Sequence, residues 1–338
     1  MISSVEVVLV VLAAAAISAG IILALLPLLK RHALAHPNAR SSHLKSTPQG
    51  GGIAVIGATI AVAAGALALG PHESAPYLTT LCLVFAATAF IAVVGLVDDI
   101  RPIEVAPRLL LQALAVAAMI AALPAELRVV PVLPWWIERA LLLIVCLWFV
   151  NLTNFMDGID WMTVAEAVPI TAGLIVIGFL GALPMHAGVV ALALCGGLIG
   201  FAPFNRPVAR IFLGDVGSLP IGLLLAWQLV LLAGNGHIAA AVVLPLYSIA
   251  DATLTLLRRV ANREPFWRAH RTHFYQRATD RGLGVSEVVK RVFATNLVLT
   301  ALACASVLWP GPLSTAAALG GGSALVGWLL WSFAQGKS

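Results

Sequence analysis

The chain has 338 residues, 61% of them hydrophobic and 10% charged, with a net charge of +5 and a mean hydropathy of +0.99. Ordinary globular domains are roughly half apolar, so this composition excludes a soluble domain. The basic excess is spread through the loops between apolar runs, which excludes a nucleic-acid footprint and implies no nucleic-acid partner.

Apolar runs recur near 5–29, 51–70, 77–97, 107–124, 135–153, 163–181, 186–204, 211–233, 238–257, 291–309 and 313–333. Each is near the ~20 residues a helix needs to cross the hydrocarbon core, and together they predict about eleven transmembrane helices. The expected fold is all-α, a polytopic integral membrane protein with residues 1–338 forming one domain. The first run is read as a retained helix. Its leader, Met1 to Glu6, has no Lys or Arg, and Lys30-Arg31 follow as an anchor. Segment 258–290 is the long polar stretch, expected as a large loop within the domain. Lys30, Arg31, Arg40, Lys45, Arg101, Arg108, Arg206 and Arg210 fall in odd loops, as does the basic run from Arg258 to Arg291. The even loops carry Arg128 and Arg139. The positive-inside rule then puts the odd loops and the C-terminus in the cytoplasm and the N-terminus outside. Cys82, Cys146, Cys195 and Cys304 stand singly in apolar runs, as small core residues.

The first odd loop runs Ser41-Ser-His-Leu-Lys-Ser-Thr-Pro-Gln-Gly-Gly-Gly52. Its glycines suit two readings equally. They open a helix N-terminus to a phosphate, with Lys45 adding a cation, or they let helices pack closely. Asp98-Asp99 end the third run, where acids oppose the helix dipole. Adjacent carboxylates repel, so one is a candidate base and the other a candidate for metal or hydrogen-bond work.

The sharpest stretch is Asn151-Leu-Thr-Asn-Phe-Met-Asp-Gly-Ile-Asp160. Asn154, Asp157 and Asp160 step by three, so a helix would spiral them over roughly 120° of one face, and Gly158 permits a break there. They offer oxygen ligands for a hard cation. Phe212-Leu-Gly-Asp-Val-Gly-Ser218 puts Asp215 between glycines at the start of the eighth run, with Ser218 one turn on and Asn205 ending the run before. Asp251, inside the ninth run, reads as a structural acid paired with a basic residue. In the ninth loop His270 and His273 share a face if helical, and Arg271 supplies planar donors for phosphate.

Taken together, these motifs resemble the bacterial polyprenyl-phosphate N-acetylhexosamine-1-phosphate transferases, glycosyltransferase family 4. The resemblance runs from Lys45 to Gln276, through Lys-x-Thr-Pro-x-Gly-Gly-Gly, Asp-Asp, Asn-x-x-Asn-x-x-Asp-Gly-Ile-Asp, Phe-x-Gly-Asp-x-Gly-Ser and the histidine motif, in family order. It implies that undecaprenyl phosphate attacks the β-phosphorus of a UDP-N-acetylamino sugar, with Mg²⁺ or Mn²⁺, at the cytoplasmic face of a bacterial inner membrane. By motif it implies Asn154 and Asp215 as metal residues, and Asp98 and Asp99 as catalytic residues. Lys45, Asp157, Asp160, Asn205, Phe212, Ser218, His270, Arg271 and His273 would bind the nucleotide sugar.

Two departures stand out. The common Asp-Gly-Ile-Asp-Gly reads Asp-Gly-Ile-Asp-Trp161, and the histidine motif is not a consecutive triplet. The second favours an enzyme that initiates O-antigen or lipopolysaccharide-type synthesis over the phospho-MurNAc-pentapeptide transferase of peptidoglycan. A membrane transporter is the non-enzyme alternative, against which stands the placing of the acids at span ends, not the midplane. The outer faces suit lipid or a homodimer partner equally.

Overall fold

The computed structural model describes residues 3–35, 46–69, 77–265 and 270–336. Lys45 lies outside the described residues. Among these residues the elements run α1 (Ser4–His32), β1 (Leu34–Ala35), β2 (Thr47–Pro48), α2 (Gly51–Leu69), α3 (Leu78–Ile100), α4 (Val105–Ala121) and α5 (Trp135–Phe155). They continue with α6 (Met162–Phe179), α7 (Met185–Asn205), α8 (Asp215–Gly234), α9 (Ile238–Val243), α10 (Leu246–Ala261), α11 (Phe274–Asp280), α12 (Val285–Leu308) and α13 (Pro312–Gln335). The expected all-α polytopic class is what forms, with β1 and β2 a two-residue antiparallel pair.

Nine helices among the described residues are long and apolar enough to cross a membrane. Two expected spans differ. The fourth is the shorter α4, of 17 residues. The ninth is not one helix: it breaks between α9 and α10 at Leu244-Pro245, where proline has no N–H to continue the ladder. The large loop is also partly structured, since α10 runs to Ala261 and α11 forms inside it.

The core is organised on α8, whose apolar window is wholly buried. In α1 and α13 less than a third of that window is buried, so both present most of their surface to lipid. Helices α2, α3 and α5 pack on α8, α1 and α2 pack on α7, and α6 packs on α12. Backbones meet closely around the first turn of α8. A Cβ on Gly52 would lie 2.2 Å from Gly217 Cα, and one on Gly95 would lie 2.3 Å from the Asp215 carbonyl oxygen. Small residues thus fix how α2 and α3 cross the central helix.

Alternating crossings bring the C-terminal ends of α3, α5, α7 and α10 to the same end of the bundle as the N-terminus of α8. At the opposite end the Glu138 carboxylate accepts from Arg128 and from the backbone N–H of Val130 at 2.9 Å. Arg139 there donates to the Pro124 and Leu127 carbonyls at 2.9 and 3.0 Å. The two cations of the even loops are therefore absorbed locally.

Candidate active site

The site grows from the N-terminus of α8. Gly214 precedes it at φ +78°, a left-handed backbone that a side chain would strain, and a Cβ there would also strike the Asp99 carboxylate at 2.5 Å. Asp99 accepts from Asp215 N at 2.9 Å and Val216 N at 3.1 Å, and from the Gln49 side chain. It ends α3 but caps α8, so the positive end of the second dipole compensates the negative end of the first.

Asp98 turns the other way. Its carboxylate accepts from Ile103 N at 2.6 Å and pairs with Arg108 at 2.8 Å, and it comes within hydrogen-bonding reach of Asp215. Asn154, in the last turn of α5, donates Nδ2 to Asp215 Oδ1 at 2.7 Å and to Ser218 Oγ at 2.9 Å. Asn154, Asp215, Ser218, Asp98 and Asp99 are thus brought together from three helices.

Asp157 and Asp160 do not share a helix face with Asn154, because α5 ends at Phe155 and both acids lie in the turn before α6. Asp157 Oδ1 accepts from the Thr163 hydroxyl. Burial, with Asp99 and Asp160 adding like charge, raises its carboxyl to about 7 against the Thr163 bond. Asp160 is buried and accepts from Ala209 N at 3.0 Å. Asn205 accepts from Trp161 N at 2.8 Å and donates to the Ile211 carbonyl at 2.9 Å. Asp160 and Asn205 therefore tie together the loops that bear the site. Trp161, where the family motif has glycine, sits at φ +65°. That left-handed position explains the usual glycine, and here the indole N–H bonds the Ala202 carbonyl at 2.6 Å.

The glycine loop resolves toward packing. The N–H groups of Gly50 and Gly51 donate to the Phe212 carbonyl at 3.2 and 2.8 Å, and that of Gly52 donates to the Leu213 carbonyl at 2.9 Å. The opening of α2 is anchored on the 212–213 backbone, so Phe212 acts through its main chain. A cleft of ≈ 430 Å³ lined by Ala33, Leu34, Gln49, Gly50, Leu96, Asp99 and Ile100 reaches Asp99 from the side of α1 and α3.

His270 and His273 precede α11 rather than sharing a helix face, yet their rings stack at 5.0 Å. Burial, then the neighbouring His273 and Arg259, lowers His270 to about 4. Arg271 pairs with Asp280 at 3.0 Å. Tyr275, which no motif flagged, donates its hydroxyl to the Phe155 carbonyl at 2.8 Å and fills the space a Cβ on Gly158 would take. It clamps the histidine segment to the Asp157 turn. Gln49 and Arg108 also escaped sequence reasoning. Arg108 carried a signal, as one of two cations, with Arg101, in the ten residues after the acid pair; Gln49 carried none.

Facing carboxylates at Asp98 and Asp215, with an amide and a hydroxyl beside them, are the donor chemistry of a hard cation. Among the described residues no three Asp, Glu, His or Cys side chains converge as a full cage. That suits an ion such as Mg²⁺, which keeps waters and takes few protein ligands. Asn154 offers Asp215 its amide nitrogen in this arrangement, and an amide flip exchanges donor for acceptor.

The fold and site define a multi-pass membrane protein whose polar chemistry is gathered at one membrane boundary. Residues 81–233, from α3 to α8, match the model for glycosyl transferase family 4. It is 28% identical over 285 residues to the probable undecaprenyl-phosphate N-acetylglucosaminyl 1-phosphate transferase of Bacillus subtilis, covering 78% of this chain and 75% of the relative. It is 27% identical over 330 residues to the decaprenyl-phosphate N-acetylglucosaminephosphotransferase of Mycobacterium leprae, covering 87% and 82%. The phospho-N-acetylmuramoyl-pentapeptide-transferase of Leuconostoc citreum is 34% identical over 207 residues, 55% of this chain and 62% of the relative.

Proposed function

We propose that the chain transfers an N-acetylamino-sugar 1-phosphate from a UDP-sugar to undecaprenyl phosphate. UMP is released, and the polyprenyl-diphospho-sugar starts a cell-surface polysaccharide of the O-antigen kind. The supporting observation is the gathering of Asp98, Asp99, Asn154, Asp157 and Asp215 beside the His270–His273 segment at one end of the bundle. A lipid-borne phosphate and a water-soluble nucleotide sugar can meet only at such a boundary.

An oxygen of the lipid phosphate attacks the β-phosphorus of the donor, and the bond to the UMP phosphate breaks. One phosphoanhydride replaces another, so positioning and charge neutralisation dominate the chemistry. Asp215, with Asp98 and Asn154, would hold Mg²⁺ or Mn²⁺, which when bound offsets phosphate charge. Asp98, kept in place by Arg108, orients the attacking phosphate. Asp99 keeps the first turn of α8, and so Asp215 and Ser218, in register. Asp157, Lys45 and the His270, Arg271 and His273 side chains receive the nucleotide sugar. The cleft ending at Asp99 gives the prenyl chain an apolar approach. The basic odd loops put this end in the cytoplasm of a bacterial inner membrane.

The test is UMP release by purified protein with undecaprenyl phosphate and a panel of UDP-N-acetylamino sugars, UDP-MurNAc-pentapeptide included, with and without Mg²⁺. One donor is expected to give lipid- and metal-dependent UMP, and Asp215→Asn to lower it by about 100-fold or more. UMP from the pentapeptide donor alone would replace the O-antigen reading with the peptidoglycan one. No UMP from any donor, with folded and metal-replete protein, would overturn the transfer reading.

A further inference from the structure

We propose that Asp251 is a positioning residue for this reaction, holding the His273 imidazole so that its Nε2 is left for the substrate. The inference rests on the transfer reading above. Asp251 lies on α10 and is wholly buried. Its Oδ1 accepts from His273 Nδ1 at 3.3 Å, Phe274 N at 3.0 Å and Thr255 Oγ1 at 3.3 Å. Its Oδ2 accepts from the Tyr247 hydroxyl at 3.1 Å and Tyr275 N at 3.2 Å. Among the described residues its ion-pair partner is His273, with no Lys or Arg on it.

A buried carboxylate costs several kcal/mol unless its oxygens are answered. Here five donors answer it, and three of them, His273 Nδ1, Phe274 N and Tyr275 N, fix two things: the start of α11 and the ring of His273. A need for packing alone would be met by an apolar residue of similar volume. An ionised carboxylate can only accept, so the contact with Asp251 puts the proton on Nδ1 and leaves Nε2 its lone pair. The ring plane is set by His270 at 5.0 Å, Tyr275 at 5.9 Å and Phe155 at 6.0 Å. Phe155 follows Asn154 directly, so the imidazole stands at the rim of the carboxylate site.

A carboxylate on Nδ1 selects the tautomer and supports the imidazolium. Nε2 is then the ring atom offered to the diphosphate of the substrate. The titratable groups facing His273 are Asp251, His270 and Tyr275. Tyr247 and Glu166 lie behind Asp251, and Arg259 lies beyond His270.

The experiment is a double-mutant cycle of Asp251→Asn and His273→Gln, read as UMP release against UDP-sugar and against lipid phosphate. Each variant is first shown to be folded by its melting curve. Each single change is expected to lower kcat/KM for the UDP-sugar by about 10–100-fold. The KM for lipid phosphate should hold within about twofold, and the double should lose no more than His273→Gln alone. Losses that multiply in the double, or that fall equally on the lipid KM, would overturn the proposal. A measurement on the wild type stands apart from the folding of Asp251→Asn. In ¹⁵N-histidine-labelled protein without substrate at neutral pH, His273 should carry its proton on Nδ1, its signal identified by loss in His273→Gln. A proton on Nε2 would overturn the dyad. Wild type that releases no UMP from any donor sinks the transfer reading, while the ¹⁵N signal still decides the dyad.

Discussion

Asp99 stands in two opposite relations to helices. It ends α3, where the dipole disfavours it, and it begins α8, where two backbone N–H groups welcome it. A sequence shows the first relation and conceals the second, because Asp99 and Asp215 are brought together only by the crossing of α3 and α8. Asp157 shows the cost of such placement. Burial pushes its folded carboxyl up to about 7, whereas an unfolded Asp loses its proton near ~3.9. Between those values the folded state binds more protons, so stability falls as pH rises and stays lower above the window. Asp157→Asn should therefore melt a few degrees higher than wild type at pH 8 in metal-free buffer. The gap should close as pH falls toward ~4. The same variant should lose UMP release, because the unstable ionised form is the one a donor or cation needs. Melting curves across pH in EDTA check the sign, and a gap that widened in acid would contradict it.

At the scale of elements, close helix crossings decide the geometry. Gly52 and Gly217 face each other across α2 and α8, with room for neither to carry a Cβ. Gly52→Ala should separate the helices or displace the first turn of α8, at a cost of about 1–3 kcal/mol. It should also weaken activity more than Gly65→Ala, a glycine of the same helix with open space around it. Melting and UMP release of the two variants, side by side, measure the difference. The sequence made the helices legible because twenty apolar residues in a row have few other structures. It also marked the start of α8 and the end of α7, since Asp215 and Asn205 stand at the true boundaries. Three points were not legible. The i, i+3 spacing from Asn154 to Asp160 implied a shared face, but the helix stops one residue after Asn154. The glycine N–H groups were open to two uses, and a pairing with the 212–213 backbone far along the chain decided between them. The ninth run counted as apolar whether or not Pro245 broke it.

At the scale of the molecule, the two ends of the bundle handle charge differently. At the far end, Glu138 pairs with Arg128, and Arg139 donates to nearby carbonyls. At the site end, carboxylates from α3, α8 and the turn after α5 lie close enough to repel one another. On the proposed reading this end binds the nucleotide diphosphate, so it is expected to face the compartment where UDP-sugars are made. The positive-inside rule points to the same side from other residues, the loop cations. The two arguments together predict the result of labelling single cysteines placed in a background lacking the four native ones. Glu126→Cys, exposed in the turn between α4 and α5, should react in intact cells with a maleimide that cannot cross the membrane. Glu104→Cys and Asn262→Cys, exposed at the site end, should react only after the membrane is opened. The opposite pattern would strand the site away from its nucleotide sugar. It would also show that the loop cations are there for the substrate's phosphates and not for topology, since those two causes of basic charge coincide only if this end is cytoplasmic.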